Sequence, residues 1–160
     1  MCQVRAPTTE VVRYTVHTEP STRMTSEYNN PTPVAVAVVQ VRHPQEKRFL
    51  AVRRATPPRQ GGITFPGGYV DERESAEMAA SRELLEETGL SIGPEHWTPI
   101  ATRVTAENKL LIFMQSSVQL TQEDLYGFEP NREVSELVTV TGQDTLAFPL
   151  HDAVLRGLTD

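Results

Sequence analysis

Glu83, Glu86 and Glu87 recur at the spacing of one helical face. With Glu83 as origin and about 100° per residue, Glu86 falls at about −60° and Glu87 at about +40°, so the three carboxylates project into one sector. Like charges at i, i+3 and i+4 repel by about 0.2–0.5 kcal/mol per pair in an isolated helix. Such a cluster calls for a cation that the sequence does not supply, and hard carboxylate oxygens suit Mg²⁺ or Mn²⁺. Zinc fits less well, because the chain has one cysteine, Cys2, and its histidines His17, His43, His96 and His151 are scattered.

The flanking residues predict how this helix is held. Ser75 is placed to cap its N-terminus, with Glu74 beside the positive end of the dipole, and Thr88-Gly89 supplies a stop. Ala76, Ala79 and Ala80 share the glutamate sector, which lets other groups approach the backbone closely. Met78, Ser81, Leu84 and Leu85 lie on the opposite side and are expected to face the core, leaving the acidic side to a ligand. Arg82, four residues before Glu86, can brace one carboxylate.

Gly68, Glu74, Arg82, Glu83, Leu84, Glu86, Glu87, Gly89 and Leu90 match without departure the 23-residue signature of the Nudix hydrolases, which this chain resembles over Gly68 to Leu90. A chance match in a chain of this length is on the order of one in ten million at ordinary residue frequencies. Phe65-Pro66-Gly67-Gly68 is similar to the strand-to-loop entry of that family. The resemblance implies that Glu86 and Glu87 bind divalent metal and that Glu83 is a further ligand or helps activate water. It also implies that the Gly67 carbonyl completes the metal shell, that Arg82 and Glu74 orient the ligands, and that Gly68 lies beside the substrate. A further acid from a later loop is expected among Glu107, Glu133 and Glu136. The pair Glu133 and Glu136 ranks first because it precedes an apolar strand. The implied fold is α/β, a Nudix-type α/β/α sandwich with a mixed β-sheet between helices.

The elements read along the chain agree with that order. Val34 to Val41 and Phe49 to Arg53 are predicted strands that form a hairpin across the turn at 43–47. A loop over 55–62 leads to a short strand, Ile63-Thr64-Phe65, and then to the acidic helix. Thr98 to Thr105, Lys109 to Val118 and Glu136 to Val140 are further strands, Thr121 to Phe128 is a polar loop or short helix, and Pro149 to Leu158 is a closing helix. Residues 1–33 form an N-terminal extension or arm and 34–160 the hydrolase domain. The arm carries one candidate strand, Val11 to His17. It is open to reading as an adaptable arm, a strand that makes a homodimer, or an upstream extension with Met24 starting the core protein.

Outside the signature, each functional reading has a plainer counterpart. Arg53 and Arg54 alternate across a strand, so one can face the site and bind a phosphate, while a solvated strand end accounts for them equally well. Tyr69, Trp97 and Phe113 could stack on a base, although aromatics in strands usually pack the core. Arg59 and Lys109 fit solvent contacts, and His151 fits a structural or surface position.

Composition narrows the partners. At 160 residues the chain suits one domain, and a net charge of −6 offers no basic footprint for a nucleic-acid polymer. Val34 to Val39 is too short to span a bilayer, and a lone cysteine is compatible with a reducing compartment, so a soluble cytoplasmic protein without membrane partners is expected. The implied activity is metal-dependent hydrolysis of the diphosphate bond in a nucleoside diphosphate linked to another moiety. Arg53-Arg54-Ala-Thr-Pro-Pro leans towards ADP-ribose or a nucleotide sugar. The alternatives are a pyrophosphohydrolase that clears damaged nucleoside triphosphates and a nucleotide-sensing module without turnover.

Overall fold

A computed structural model describes residues 28–160. The candidate strand Val11 to His17, Met24, Cys2 and His17 lie outside the described residues.

The described residues form eight strands and two α-helices in the predicted order, with the first predicted strand split at Val39 and one strand, Gly67–Tyr69, that was not expected. They are β1 (Thr32–Val38), β2 (Gln40–Val41), β3 (Arg48–Arg54), β4 (Ile63–Thr64), β5 (Gly67–Tyr69), α1 (Ala76–Thr88), β6 (Trp97–Val104), β7 (Lys109–Ser116), β8 (Val134–Val140) and α2 (Pro149–Thr159). One sheet has the order β5-β1-β7-β6, with β1 parallel to β7 and its other pairs antiparallel. In the second sheet β3 pairs antiparallel with β2 and β4 and with β8.

Besides the longer segment from β7 to β8, two short stretches of chain join the sheets. Only Val39 separates β1 from β2, and its carbonyl accepts from Leu50 N–H at 2.8 Å. Phe65-Pro66 separates β4 from β5, and Pro66, which has no N–H to give, accepts from Ala37 N–H at 2.8 Å. The hairpin predicted from Val34 to Val41 with Phe49 to Arg53 is therefore corrected. Only Gln40 and Val41 pair with β3, while β1 takes β5 and β7 as neighbours. An unbroken apolar run cannot reveal that its strand changes sheets at Val39.

Alternation along β1 divides the core. Ala35, Ala37 and Val39 pack in the cluster that holds Ala79, Ala80 and Leu84 of α1. Val36 and Val38 pack in the cluster that holds Phe65, Phe113 and Leu155, the last from α2. Helices thus cover both sides of the strands, which is the α/β/α sandwich expected. Burial of Phe49, Phe65 and Phe113, each 2 % exposed or less, contributes about 1.5–3 kcal/mol apiece.

One expectation about α1 is reversed. Met78 and Leu85 are each 50 % exposed, whereas Ala79, Ala80, Glu83, Leu84 and Glu87 are buried. Alanines on the helix meet alanines on β1, so the backbone comes close to the sheet and draws the adjoining glutamates inward. Ser81 is only half-buried and accepts a hydrogen bond from Trp97 Nε1 at 2.8 Å. No helix among the described residues is long and apolar enough to cross a membrane.

Candidate active site

The caps of α1 fix the acidic face in space. Ser75 Oγ accepts from Met78 N–H at 3.2 Å, and Gly89 closes the helix at φ 76°, donating its N–H to Leu85 O at 2.9 Å.

Arg82 is the hub of the cluster. Its Nε donates to Glu74 Oε1 and its Nη2 to Glu74 Oε2, both at 2.9 Å, while Nη2 also donates to the Tyr69 carbonyl at 2.9 Å. Nη1 is shared between Glu83 Oε1 at 2.7 Å and Glu86 Oε2 at 3.3 Å. Glu74 additionally accepts from Asp71 N–H at 2.9 Å. The bond from Arg82 leads the causes that hold the Glu74 carboxyl below its usual range.

Glu83 and Glu87 have the opposite problem. Burial pushes both carboxyls up, with Arg82 opposing the rise at Glu83. Glu87 reaches about 8, driven first by burial and then by the charges of Glu83 and Glu133, against a backbone hydrogen bond from Gly67. Glu87 Oε2 is buried without a hydrogen-bond partner among the described residues. A buried carboxylate oxygen with nothing to bind is a group that lacks its counter-charge.

Two glycines allow this crowding. A Cβ at Gly67 would overlap the Ala35 carbonyl oxygen and stand 2.9 Å from Val36 Cα. A Cβ at Gly68 would overlap the whole Glu83 carboxylate. Gly68→Ala is therefore expected to fold, because the side chain of Glu83 can swing aside, but to lose about a hundredfold in turnover through misplacement of that carboxylate. Steady-state kinetics beside circular dichroism would check this, and an unchanged kcat would count against it.

The later acids fall in different places. Glu133 precedes β8, and its charge bears on both Glu83 and Glu87. Glu136 lies within β8 opposite Arg53 and accepts from its Nε at 2.8 Å. Glu107 is exposed in the turn between β6 and β7.

Arg53 and Arg54 also part company. Arg53 is held by Glu136 and by Gly61 O at 3.0 Å. Arg54 donates from Nε to Pro58 O at 2.8 Å, lies 5.5 Å from the centre of the Phe148 ring, and its charge acts on Glu87. Arg59 stands over the same ring at 5.9 Å. Of the aromatic candidates, Phe113 is fully buried and Trp97 is 5 % exposed, so both serve the core, while Tyr69 is exposed with Lys109 Nζ 5.3 Å from its ring centre. His151 is a core residue whose Nδ1 is 2.8 Å from Thr64 Oγ1, among Phe65, Phe113 and Phe148. Burial, with a smaller contribution from Arg54, lowers it to about 4.

Asn131 is the residue that sequence reasoning missed. Its Nδ2 donates to Glu87 O at 3.0 Å, and its Oδ1 accepts from the N–H groups of Glu133 and Val134, both at 2.9 Å. The only signal was an asparagine just before a strand, a common turn residue.

Among the described residues no three acids converge as a ready-made metal cluster, since Arg82 is interposed between Glu74, Glu83 and Glu86. The bare Oε2 of Glu87, the all-oxygen donors and the neighbouring Glu133 nonetheless fit a hard cation.

The NUDIX domain family model matches residues 31–156, most of the chain and all of α1. The chain belongs to the Nudix family. Among curated relatives it is 37 % identical over 106 residues to a "Putative 8-oxo-dGTP diphosphatase 3" of Mycobacterium tuberculosis, covering 64 % of this chain and 48 % of that protein. It is 39 % identical over 46 residues to an "ADP-ribose pyrophosphatase" of Methanocaldococcus jannaschii, covering 29 % of this chain and 27 % of that one. The matched region spans half or less of the length of these relatives. The Nudix domain of Shewanella oneidensis NrtR, solved with ADP ribose, superposes with a TM-score of 0.64 at 21 % identity, over 86 % of this chain and 92 % of that one. At that identity the likeness establishes the Nudix fold.

Proposed function

We propose that this Nudix chain is a divalent-metal-dependent pyrophosphohydrolase that cleaves the diphosphate bond of a nucleoside diphosphate linked to a second moiety. The observation that carries the proposal is the unpartnered, buried Oε2 of Glu87 on a helix that also presents Glu83 and Glu86. Mg²⁺ or Mn²⁺ would be held by Glu83, Glu86, Glu87 and Glu133 with the Gly67 carbonyl, Glu136 being engaged by Arg53. When bound, the ion offsets charge on the phosphate oxygens and acidifies a water molecule.

The chain's own groups supply the rest. Arg82 and Glu74 lock the base of the carboxylate cluster through a two-point guanidinium contact. Glu83, whose proton affinity burial raises, is suited to take the proton that an attacking water gives up. Arg54, fixed by Pro58 O and the Phe148 ring close enough to influence Glu87, is suited to hold a phosphate oxygen. These are positioning and electrostatic tasks, which dominate attack on an already anionic phosphorus.

The names of the Methanocaldococcus relative and of the Shewanella complex support ADP-ribose or a nucleotide sugar as the substrate class. The name of the Mycobacterium relative supports a second reading, pyrophosphohydrolysis of a damaged nucleoside triphosphate. Purified protein with Mg²⁺ or Mn²⁺, offered ADP-ribose, nucleotide sugars, ATP and 8-oxo-dGTP, separates them. The expected products are a nucleoside monophosphate and a phosphorylated second moiety, with kcat/KM for the linked compounds at least about tenfold above the triphosphates, a difference of about 1.4 kcal/mol. Preference for a triphosphate by that margin would install the second reading. Tight binding of a nucleotide without turnover under either metal would replace the enzyme with a sensing module.

A further inference from the structure

Glu133 stands just before β8, and its charge bears on Glu83 and Glu87 of α1, so contacts between its loop and the helix set the spacing of these acids. The backbone of Glu133 is pinned at both ends. Its N–H is held by Asn131 Oδ1 at 2.9 Å, and its carbonyl accepts from Ala55 N–H at 2.8 Å. Asn131 also closes the turn through its own N–H, donated to Val134 O at 2.9 Å, and through Oδ1, which accepts from Val134 N–H.

The second arm of the same side chain reaches α1. Glu87 lies in the last turn of the helix, where carbonyls have no intrahelical donor, and Asn131 Nδ2 supplies one at 3.0 Å across 44 residues of sequence. One amide therefore grips the backbone of Glu87 with its nitrogen and the backbone of Glu133 with its oxygen. An amide suits this task because it offers a donor and an acceptor from one rigid plane.

We propose that Asn131 is a positioning residue that registers the Glu133 loop against the Glu87 end of α1, and so sets the spacing between the two parts of the cation site. The inference rests on the reading of that cluster as a metal site. Residues that orient ligands in this way typically change metal affinity about 10–100-fold when removed.

The test is Mn²⁺ binding to the full chain, followed by electron paramagnetic resonance of the free ion, for the wild type, Asn131→Ala, Glu133→Gln and the double variant. Asn131→Ala is expected to weaken Mn²⁺ binding about tenfold or more, and to weaken it less than about twofold once Glu133 is already Gln. Asn131→Asp keeps the oxygen acceptor for the loop and sets a carboxylate against Glu87 O, so it is expected to weaken binding while the thermal melt stays close to wild type. That variant keeps the test decisive if Asn131→Ala does not fold. Equal losses from Asn131→Ala with and without Glu133 would show that Asn131 does not act through Glu133, and would overturn the proposal. Wild-type Mn²⁺ affinity in Asn131→Asp would overturn it as well. If Glu87→Gln abolishes Mn²⁺ binding while Glu133→Gln leaves it unchanged, the metal helix stands and the role of Asn131 falls. If the wild type binds no Mn²⁺, the metal reading itself fails.

Discussion

Glu87→Gln is expected to reduce turnover at least about a hundredfold without loss of fold. The residue is 8 % exposed, its Oε2 meets no donor among the described residues, and its carboxyl is pushed to about 8. Gln keeps the shape and removes the charge, so the variant loses the attraction for a cation while sparing the protein a buried anion.

The same substitution has a signature in stability. In metal-free protein the Glu87 carboxyl titrates at about 8, against an ordinary value of 4.5 that the unfolded chain recovers. Between those values the folded state binds more protons than the unfolded one, so stability falls as pH rises, by at most about 1.4 kcal/mol per pH unit. His151 acts in the other direction. Its folded value of about 4 lies below the ordinary 6.5, so its contribution is complete above 6.5 and is lost as pH falls towards 4. From about 4.5 to 6.5 the slopes of Glu87 and His151 oppose, and above 6.5 that of His151 ends while the decline from Glu87 continues towards 8. Urea unfolding with a chelator at pH 6.5 and 8 should show that decline in the wild type and its absence in Glu87→Gln. An equal decline in both would mean that Glu87 is not the group responsible.

The second large effect belongs to Arg82. Arg82→Ala leaves Glu74 and Glu83, whose side chains are each 11 % exposed, without the guanidinium that joins them. Removing one partner of a fully buried ionic contact costs about 3–5 kcal/mol, and for this part-buried one about 2–3 kcal/mol is expected, which for a domain of this size lowers the melting temperature by about 4–12 °C. Removing both partners is milder. The pair Arg82→Met with Glu74→Gln should recover part of the loss, because an uncompensated charge costs more than an absent pair. Thermal melts of the two variants decide the matter. A single variant within about 1 kcal/mol of wild type would show that Arg82 is an ordinary surface ion pair.

Local signals carried the helix, and contacts between distant segments carried what the sequence left open. Ser75 and Gly89 cap α1 as expected because caps depend on a few adjacent residues. The helical period likewise brought Glu83, Glu86 and Glu87 to one side. It did not say which side faces the core, and the apolar Met78 and Leu85 were the wrong guide because Ala79 and Ala80 meet Ala35 and Ala37 on β1. Strand β5 was hidden in a Gly-Gly pair with little preference for extended structure, and it forms because β1 offers Ala35 and Val36 as partners. Arg53 and Arg54 could not be told apart by alternation. The register of β8 shifts between them, sending Arg53 to Glu136 and leaving Arg54 within reach of Glu87. Asn131 was invisible for the same reason, since its partner Glu87 lies 44 residues earlier.

Turnover of a nucleoside diphosphate derivative as a function of Mg²⁺ concentration, for the wild type beside Glu87→Gln, tests most directly whether the acidic helix is a metal site. No turnover is expected with the metal chelated, with saturable activation of the wild type on adding Mg²⁺ and at least about a hundredfold less in the variant at saturating metal. Turnover that persists under chelation, or that survives in Glu87→Gln at the wild-type rate, would contradict that assignment.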